Sequence, residues 1–439
     1  MSIIDVETIP VRLGLRNYEG LMLELAAVGD SKPIVDTIDQ VEQALLQERC
    51  RTNLDLGKKH IQAVLDYCWE RLNSGYWKDV SVAWRKLYAH ASLLKAACIL
   101  YSTTSGDWSQ LPSRDVWKEA LGVCDMGLLM GFPIQDSVLS SLASRLSCLL
   151  GSNGAHSTDD GSFGEESCKR CKIDENKSVH ALNSEPSILY PIVQLERPSL
   201  ELFQSVYMST HMPVVIIGSM DHWPALSHRK WTIAYLKSTC GFRTIPVELG
   251  ARYTDESWSQ TLMTLTNFID KYVKNDAKDD VTGYVAQHPL FEQIPELRQD
   301  ICIPDYCCLS SKPEVKLSDN VQENEEDVVI NAWFGPCGTV SPLHYDPKHN
   351  LLAQVVGSKY IRLYGAEETA HLYPHQGSML SNTSQVDVED PDLEQFPEFR
   401  KACYTDCILR EGQMLYIPPR CWHFVRSLSL SFSVSFWWH

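Results

Sequence analysis

Apolar positions recur at three- and four-residue spacing through the first third of the chain and at every second residue near its end. In KKHIQAVLDYCWERL, Ile61, Val64, Leu65, Cys68, Trp69 and Leu72 mark one face of a helix. VAWRKLYAHASLLKAACILY carries the pattern on through Val82, Leu87, Leu94, Ala97 and Ile99. Asp115 is expected to cap VWKEALGVCDMGLLMG, with Gly131 near its end. Residues 1–150 therefore read as an all-α domain suited to packing or protein interaction. Trp84, Leu87 and Tyr88 faintly echo a tetratricopeptide signature, but nothing returns at a fixed period, so a repeat array is only weakly indicated.

Between 151 and 187 the chain turns small, polar and acidic (GSNGAHSTDDGSFGEES), as a flexible linker would. Cys168 and Cys171 form a lone C-x2-C without the second pair that a structural zinc needs. Lys169, Arg170 and Lys172 form a short basic patch of the kind that serves nuclear import.

From 188 to 439 the pattern becomes short apolar runs: MPVVIIGSM, RTIPVELG, VTGYVAQH, VVINAWFG, NLLAQVVG, KYIRLYG and QMLYIP. The ending LSLSFSVSFWW alternates, with Leu428, Leu430, Phe432, Val434 and Phe436 facing one way and serines the other, which predicts a half-buried strand. Many short strands divided by turns predict a sandwich or jelly-roll barrel, hence an α+β chain overall. A surface insertion is expected at 310–327 and a crossing loop at 378–400.

Composition narrows the setting. At 439 residues and 44% hydrophobic content the chain can build two or three cores. No apolar run approaches a membrane span and the start lacks a secretory pattern. The 15 cysteines, odd in number and unframed, read as reduced thiols, so N-x-S/T at Asn176 and Asn382 is inert and a nuclear or cytosolic location is expected. A net charge of −17 argues against direct nucleic-acid binding and for basic protein partners.

The chemistry gathers in SPLHYDPKHNLLAQVVGSK. On a strand, His344 and Asp346 share a face, and His423 in PPRCWHFV can complete a two-histidine, one-carboxylate set that leaves half of an octahedral metal open. That is the donor set of non-heme Fe(II) oxygenases. Lys359, after the turn at Gly357-Ser358, can pair with the distal carboxylate of a dicarboxylic acid, with Ser341, Asn350 and Tyr284 adding hydrogen bonds. Three ligands and a water also describe a catalytic zinc hydrolase, but a hydrolase has no use for the dicarboxylate anchor.

The segment NAWFGPCGTVSPLHYDPKHNLLAQVVGSKYIRLY, with GYVAQH, LFEQIPEL, IPDYCCL, PPRCWHF and SFSVSFWW, resembles the JmjC-domain Fe(II)/2-oxoglutarate oxygenases from residue 188 onward. The resemblance implies a double-stranded β-helix, Fe(II) on His344, Asp346 and His423, and 2-oxoglutarate held by Tyr284, Ser341, Asn350 and Lys359, with O2 as the other cosubstrate. It implies Arg- or Lys-containing protein substrates, chromatin-associated proteins and histones among them. Family members either hydroxylate a side-chain carbon or demethylate methyl-lysine. Three features favour arginine hydroxylation: Asp346 where many demethylases carry Glu, no accompanying zinc-finger reader, and Glu248 and Trp333 at positions that hold a guanidinium in the resembled proteins. A carboxylate and an indole face suit that cation. Histone demethylation, histone-tail cleavage and a non-catalytic chromatin-binding module stand as alternatives; no Ser/His or Cys/His dyad supports the cleavage.

Overall fold

In the computed structural model the residues described are 32–46, 51–75, 80–104, 112–134, 137–152, 185–250, 252–254, 258–274, 281–310, 328–377 and 380–439. The expected C-x2-C, the basic patch, Asn176, most of the linker and most of the insertion lie outside them.

Among the described residues of the first part there are five helices: α1 (Lys32–Leu46), α2 (Arg51–Leu72), α3 (Val82–Thr104), α4 (Arg114–Met130) and α5 (Val138–Ser152). From Ala83 to Leu100, α3 buries most of its residues, with Arg85 exposed and Lys86 and Lys95 half-buried. It meets α4 closely enough that a Cβ on Gly127 would stand 2.6 Å from that of Ser92. Two expectations shift. Ser113, not Asp115, caps α4, accepting from the Val116 N–H; Asp115 sits inside the first turn, where its charge suits the helix dipole. Trp69 and Val82 are exposed rather than buried with the rest of their stripe.

This helical unit does not close on 1–150 alone: it takes in Lys237–Ile245 and Gln293–Pro295. The reason is Asp125, fully buried on α4. Its Oδ1 accepts from Arg243 Nε at 2.8 Å and Gln293 Nε2 at 3.1 Å, and its Oδ2 from the Thr244 N–H at 2.6 Å. Arg243 is itself fully buried. Asp125→Ala would strand that guanidinium, so a loss of about 3–5 kcal/mol in chemical denaturation is expected. Unchanged stability would mean that the pair merely fills space.

The strands, which belong to the second unit apart from the first two residues of β3, are β1 (Gln194–Glu196), β2 (Val214–Ile217), β3 (Thr244–Leu249), β4 (Ser259–Thr264), β5 (Gly283–His288), β6 (Val329–Gly335), β7 (Val340–Tyr345), β8 (His349–Val356), β9 (Ser358–Tyr364), β10 (Tyr404–Arg410), β11 (Gln413–Ile417), β12 (Trp422–Ser427) and β13 (Ser431–Trp438). Among the described residues these form a nine-stranded sheet, ordered β1-β2-β11-β8-β13-β6-β5-β3-β4, and a four-stranded one, ordered β10-β9-β12-β7. The fold is α+β, with a helical region followed by a two-sheet β sandwich. Gly357 turns β8 into β9 at φ 74°, and a Cβ there would strike the Leu430 carbonyl.

The final strand departs from the half-buried expectation. Ser431, Ser433 and Ser435 are as buried as Phe432, Val434 and Phe436, while Leu428 and Leu430 precede the strand. The serine face is satisfied from within. Gln354 donates to Ser431 Oγ at 2.9 Å, Ser433 donates to Gln354 Oε1 at 2.7 Å, and the Trp333 indole N–H donates to Ser435 at 3.0 Å.

Candidate active site

β12 runs antiparallel to β7 and places His423 directly opposite His344. His423 thus stands on a strand of its own, and Asp346 falls one residue beyond β7. The register then slips: Val425 pairs with Ser341, so two steps on β12 match three on β7. That bulge absorbs Pro342, which has no N–H to give a ladder, and it brings Ser341 and His344 to the same cavity despite their odd spacing.

One ligand atom from each of His344, Asp346 and His423 lies within 4.8 Å of the others. The two imidazole centroids are 4.1 Å apart, and His423 Nε2 stands 3.6 Å from Asp346 Oδ2. His344 Nδ1 is 2.7 Å from the Pro342 carbonyl and His423 Nδ1 is 3.0 Å from that of Cys421. A carbonyl only accepts, so both Nδ1 atoms carry the proton and both Nε2 lone pairs are free for a metal. Burial, then the neighbouring His344, hold His423 down at about 4, so its ring is neutral at pH 7.

Beside this cluster lies a cleft with about 360 Å³ of empty space, counting its open mouth, lined by Tyr284, Trp333, Ser341, His344, Asp346, Asn350, Leu352, Lys359, Ile417, His423 and Val425. Lys359 is only 2% exposed. Its ammonium donates to the Tyr284 hydroxyl at 3.1 Å, and no described carboxylate pairs with it. Burial lowers it from 10.5 to about 7. Asn350 Oδ1 is buried with no donor among the described residues. A cation without an anion and an acceptor without a donor are what a bound dicarboxylate with its hydrogen-bonding shell would leave behind, so the residues fit that ligand.

A pH prediction follows. A bound carboxylate favours the charged lysine, so binding takes up a proton once the pH exceeds about 7. Affinity for 2-oxoglutarate should fall above that pH, by at most about tenfold per unit. Without ligand the sign reverses: the unfolded chain binds the extra proton between about 7 and 10.5, so fold stability from this group rises across that window. Calorimetry with Mn(II), in buffers of different ionisation enthalpy, measures the uptake; a flat affinity from neutral to alkaline pH would contradict it.

Glu248 is not in the cavity wall. It sits on β3 opposite Tyr284, and its carboxylate accepts from the Trp258 indole at 3.2 Å. Burial raises it despite the hydrogen bonds from Trp258 and Gln260, which act downward. Trp333 does line the cavity, 6.3 Å from the Tyr284 ring, with its edge tied to Ser435. Sequence reasoning missed Tyr253 and Thr383. The Tyr253 hydroxyl lies 3.2 Å from that of Thr383, its ring meets His344 edge-on, and burial, then the Asp346 and Glu248 charges, raise it. Thr383 bridges to His344 and forms part of a short ladder on β7, in which Ser384 N–H donates to Leu343. The aromatics of ARYTDESW, close behind Glu248, were the available signal.

Sheet sandwich, facial donor triad and anion-ready lysine together define a cupin-type metal oxygenase. Residues 199–439 match the family model described as a cupin-like domain, and 55–150 match one described as KDM8-like, N-terminal ARM repeats. The chain is 46% identical to lysine-specific demethylase 8 of Danio rerio over 380 residues, 86% of each protein. It is 41% identical to lysine-specific demethylase JMJ30 of Arabidopsis thaliana over 397 residues (86% of this chain, 85% of the relative), and 37% identical to Jumonji C domain-containing protein 5 of Drosophila melanogaster over 390 residues, 86% of each. The chain belongs to the JmjC cupin-like oxygenase family, whose members use Fe(II), 2-oxoglutarate and O2. The helical region is ARM-like. The weak repeat signal thus belongs to another repeat type, which lacks the fixed 34-residue motif of tetratricopeptides.

Proposed function

We propose that the chain oxidises a basic side chain of a protein substrate, with His344, Asp346 and His423 holding Fe(II) and Tyr284, Ser341, Asn350 and Lys359 holding 2-oxoglutarate. The buried, carboxylate-free ammonium of Lys359 beside the triad carries this reading. The bound metal supplies the oxidant, with 2-oxoglutarate and O2 becoming succinate, CO2 and one oxygen inserted into a substrate C–H bond. The chain's own residues do the placing. Pro342 and Cys421 hold the two imidazoles in one tautomer, and Lys359 neutralises the distal carboxylate while Asn350 and Ser341 complete its shell.

For the substrate, the geometry of this chain supports hydroxylation at an arginine carbon. Glu248, oriented by Trp258 and made costly to ionise by burial, gains most from a bidentate guanidinium, and Trp333 offers a fixed wall. The second reading is methyl-lysine demethylation, favoured by relatives named lysine-specific demethylases; on the comparisons alone it is the better supported. Oxidising an N-methyl carbon gives a carbinolamine that sheds formaldehyde, whereas oxidising an arginine carbon gives a stable alcohol. Mass spectrometry of Arg and trimethyl-Lys peptides after turnover separates them. A one-oxygen gain on the arginine peptide without formaldehyde supports the first; formaldehyde from the lysine peptide alone overturns it. With arginine as substrate, Glu248→Gln should raise the peptide KM by about tenfold or more while leaving the 2-oxoglutarate KM in place.

A further inference from the structure

The helical unit carries a second, larger concavity, with about 900 Å³ of empty space counting its open mouth. Three helices, α2, α3 and α4, frame it. Leu65, Tyr88, Val123 and Met126 make its floor largely apolar. Trp69 is 43% exposed, unusual for an indole on a helix whose other stripe residues are covered. A Cβ on Gly122 would meet nothing within 4 Å, so the α4 wall is open as well.

The polar groups are ordered by sign. Asp66 stands one turn before Trp69, and Glu119 enters from α4. Lys95, the cation lining the groove, donates to Gln62, which in turn donates to Asp66 at 2.6 Å; Glu119 and Asp66 both act on its charge, so these three groups leave the lining one negative charge in excess. Tyr88 is 6% exposed, and among the described residues nothing hydrogen-bonds its hydroxyl.

We propose that this groove binds a short basic segment of a partner protein, an Arg or Lys side chain stacking on Trp69 with its charge against Glu119 and Asp66. The apolar floor takes the aliphatic stem of such a side chain, and the Tyr88 hydroxyl meets the unsatisfied backbone of an extended peptide. A cation over an exposed indole, flanked by carboxylates, is the complement this lining specifies. Phosphate-bearing partners meet two carboxylates and are disfavoured. The inference does not depend on which reaction the catalytic unit performs.

The test is fluorescence anisotropy of the full chain with a fluorescein-labelled peptide of alternating Arg and Leu, and its Glu counterpart, at about 0.15 M salt to screen the general surface field. The basic peptide should bind and the acidic one should not. Glu119→Lys and Trp69→Ala, both at exposed positions, should each weaken binding by about tenfold or more, and Gly122→Phe should plug the groove. Hydrogen exchange should show peptide-dependent protection in α2 and α4. The proposal is overturned if no peptide binds, if the three groove variants stay within about twofold of the parent, or if protection falls around Glu248 instead.

Discussion

Replacing His423 by alanine is expected to abolish succinate formation while leaving the ligand-free fold in place. His423 is the most buried of the three donors and holds its partner His344 at a ring distance of 4.1 Å. Without it the metal keeps one imidazole and one carboxylate, too few to fix both position and open face. If metal-centred charge stabilisation is worth several kcal/mol, turnover should fall by about three decades or more. The ring is neutral and its one described hydrogen bond is to a backbone carbonyl, so its removal costs the fold only ordinary packing. Circular dichroism and a metal-free melting curve check the second half of this expectation. A variant that keeps turnover would move the metal elsewhere.

Lys359→Ala should act on the cosubstrate alone. It removes the only described cation lining the cavity, so the arriving carboxylate would be buried without a partner, at a cost of about 3–5 kcal/mol. That is about two to three decades in the 2-oxoglutarate KM or Kd. The ligand-free protein should not suffer in proportion, since burial already makes this ammonium costly and depresses its pKa. Lys359→Met, close in volume, should therefore melt near the parent while binding 2-oxoglutarate as poorly as the alanine variant. Saturation of either variant at the parent's concentration would remove Lys359 from the site.

Much of this was legible because strand patterning and donor chemistry are local. His344 and Asp346 sit two apart in a chain whose apolar runs already read as strands, and Lys359 follows a glycine turn. Other features depend on pairing, which no local pattern encodes. Nothing around Pro342 shows that β7 gains a residue against β12, yet that bulge brings Ser341 to the cavity with His344. The serines of β13 look solvent-facing until Gln354 and Trp333 arrive from neighbouring strands. Asp125 looks like an ordinary helix carboxylate, and only Arg243, 118 residues on, explains its burial. Trp69 belongs to an apolar stripe by periodicity and to an open groove by packing. Tyr253 and Thr383 stand 130 residues apart and meet beside the metal triad through folding alone.

The most direct test of the central claim uses isotopically labelled O2 with Fe(II), 2-oxoglutarate and an Arg- or methyl-Lys-bearing protein substrate, reading succinate and substrate mass together. One succinate should form for each oxidised side chain, with one labelled oxygen retained on an arginine product or carried off in formaldehyde from a lysine one. Both signals should vanish in His423→Ala and return in Lys359→Ala only at greatly raised 2-oxoglutarate. An arginine product whose oxygen comes from water, or substrate change without succinate, would contradict the account.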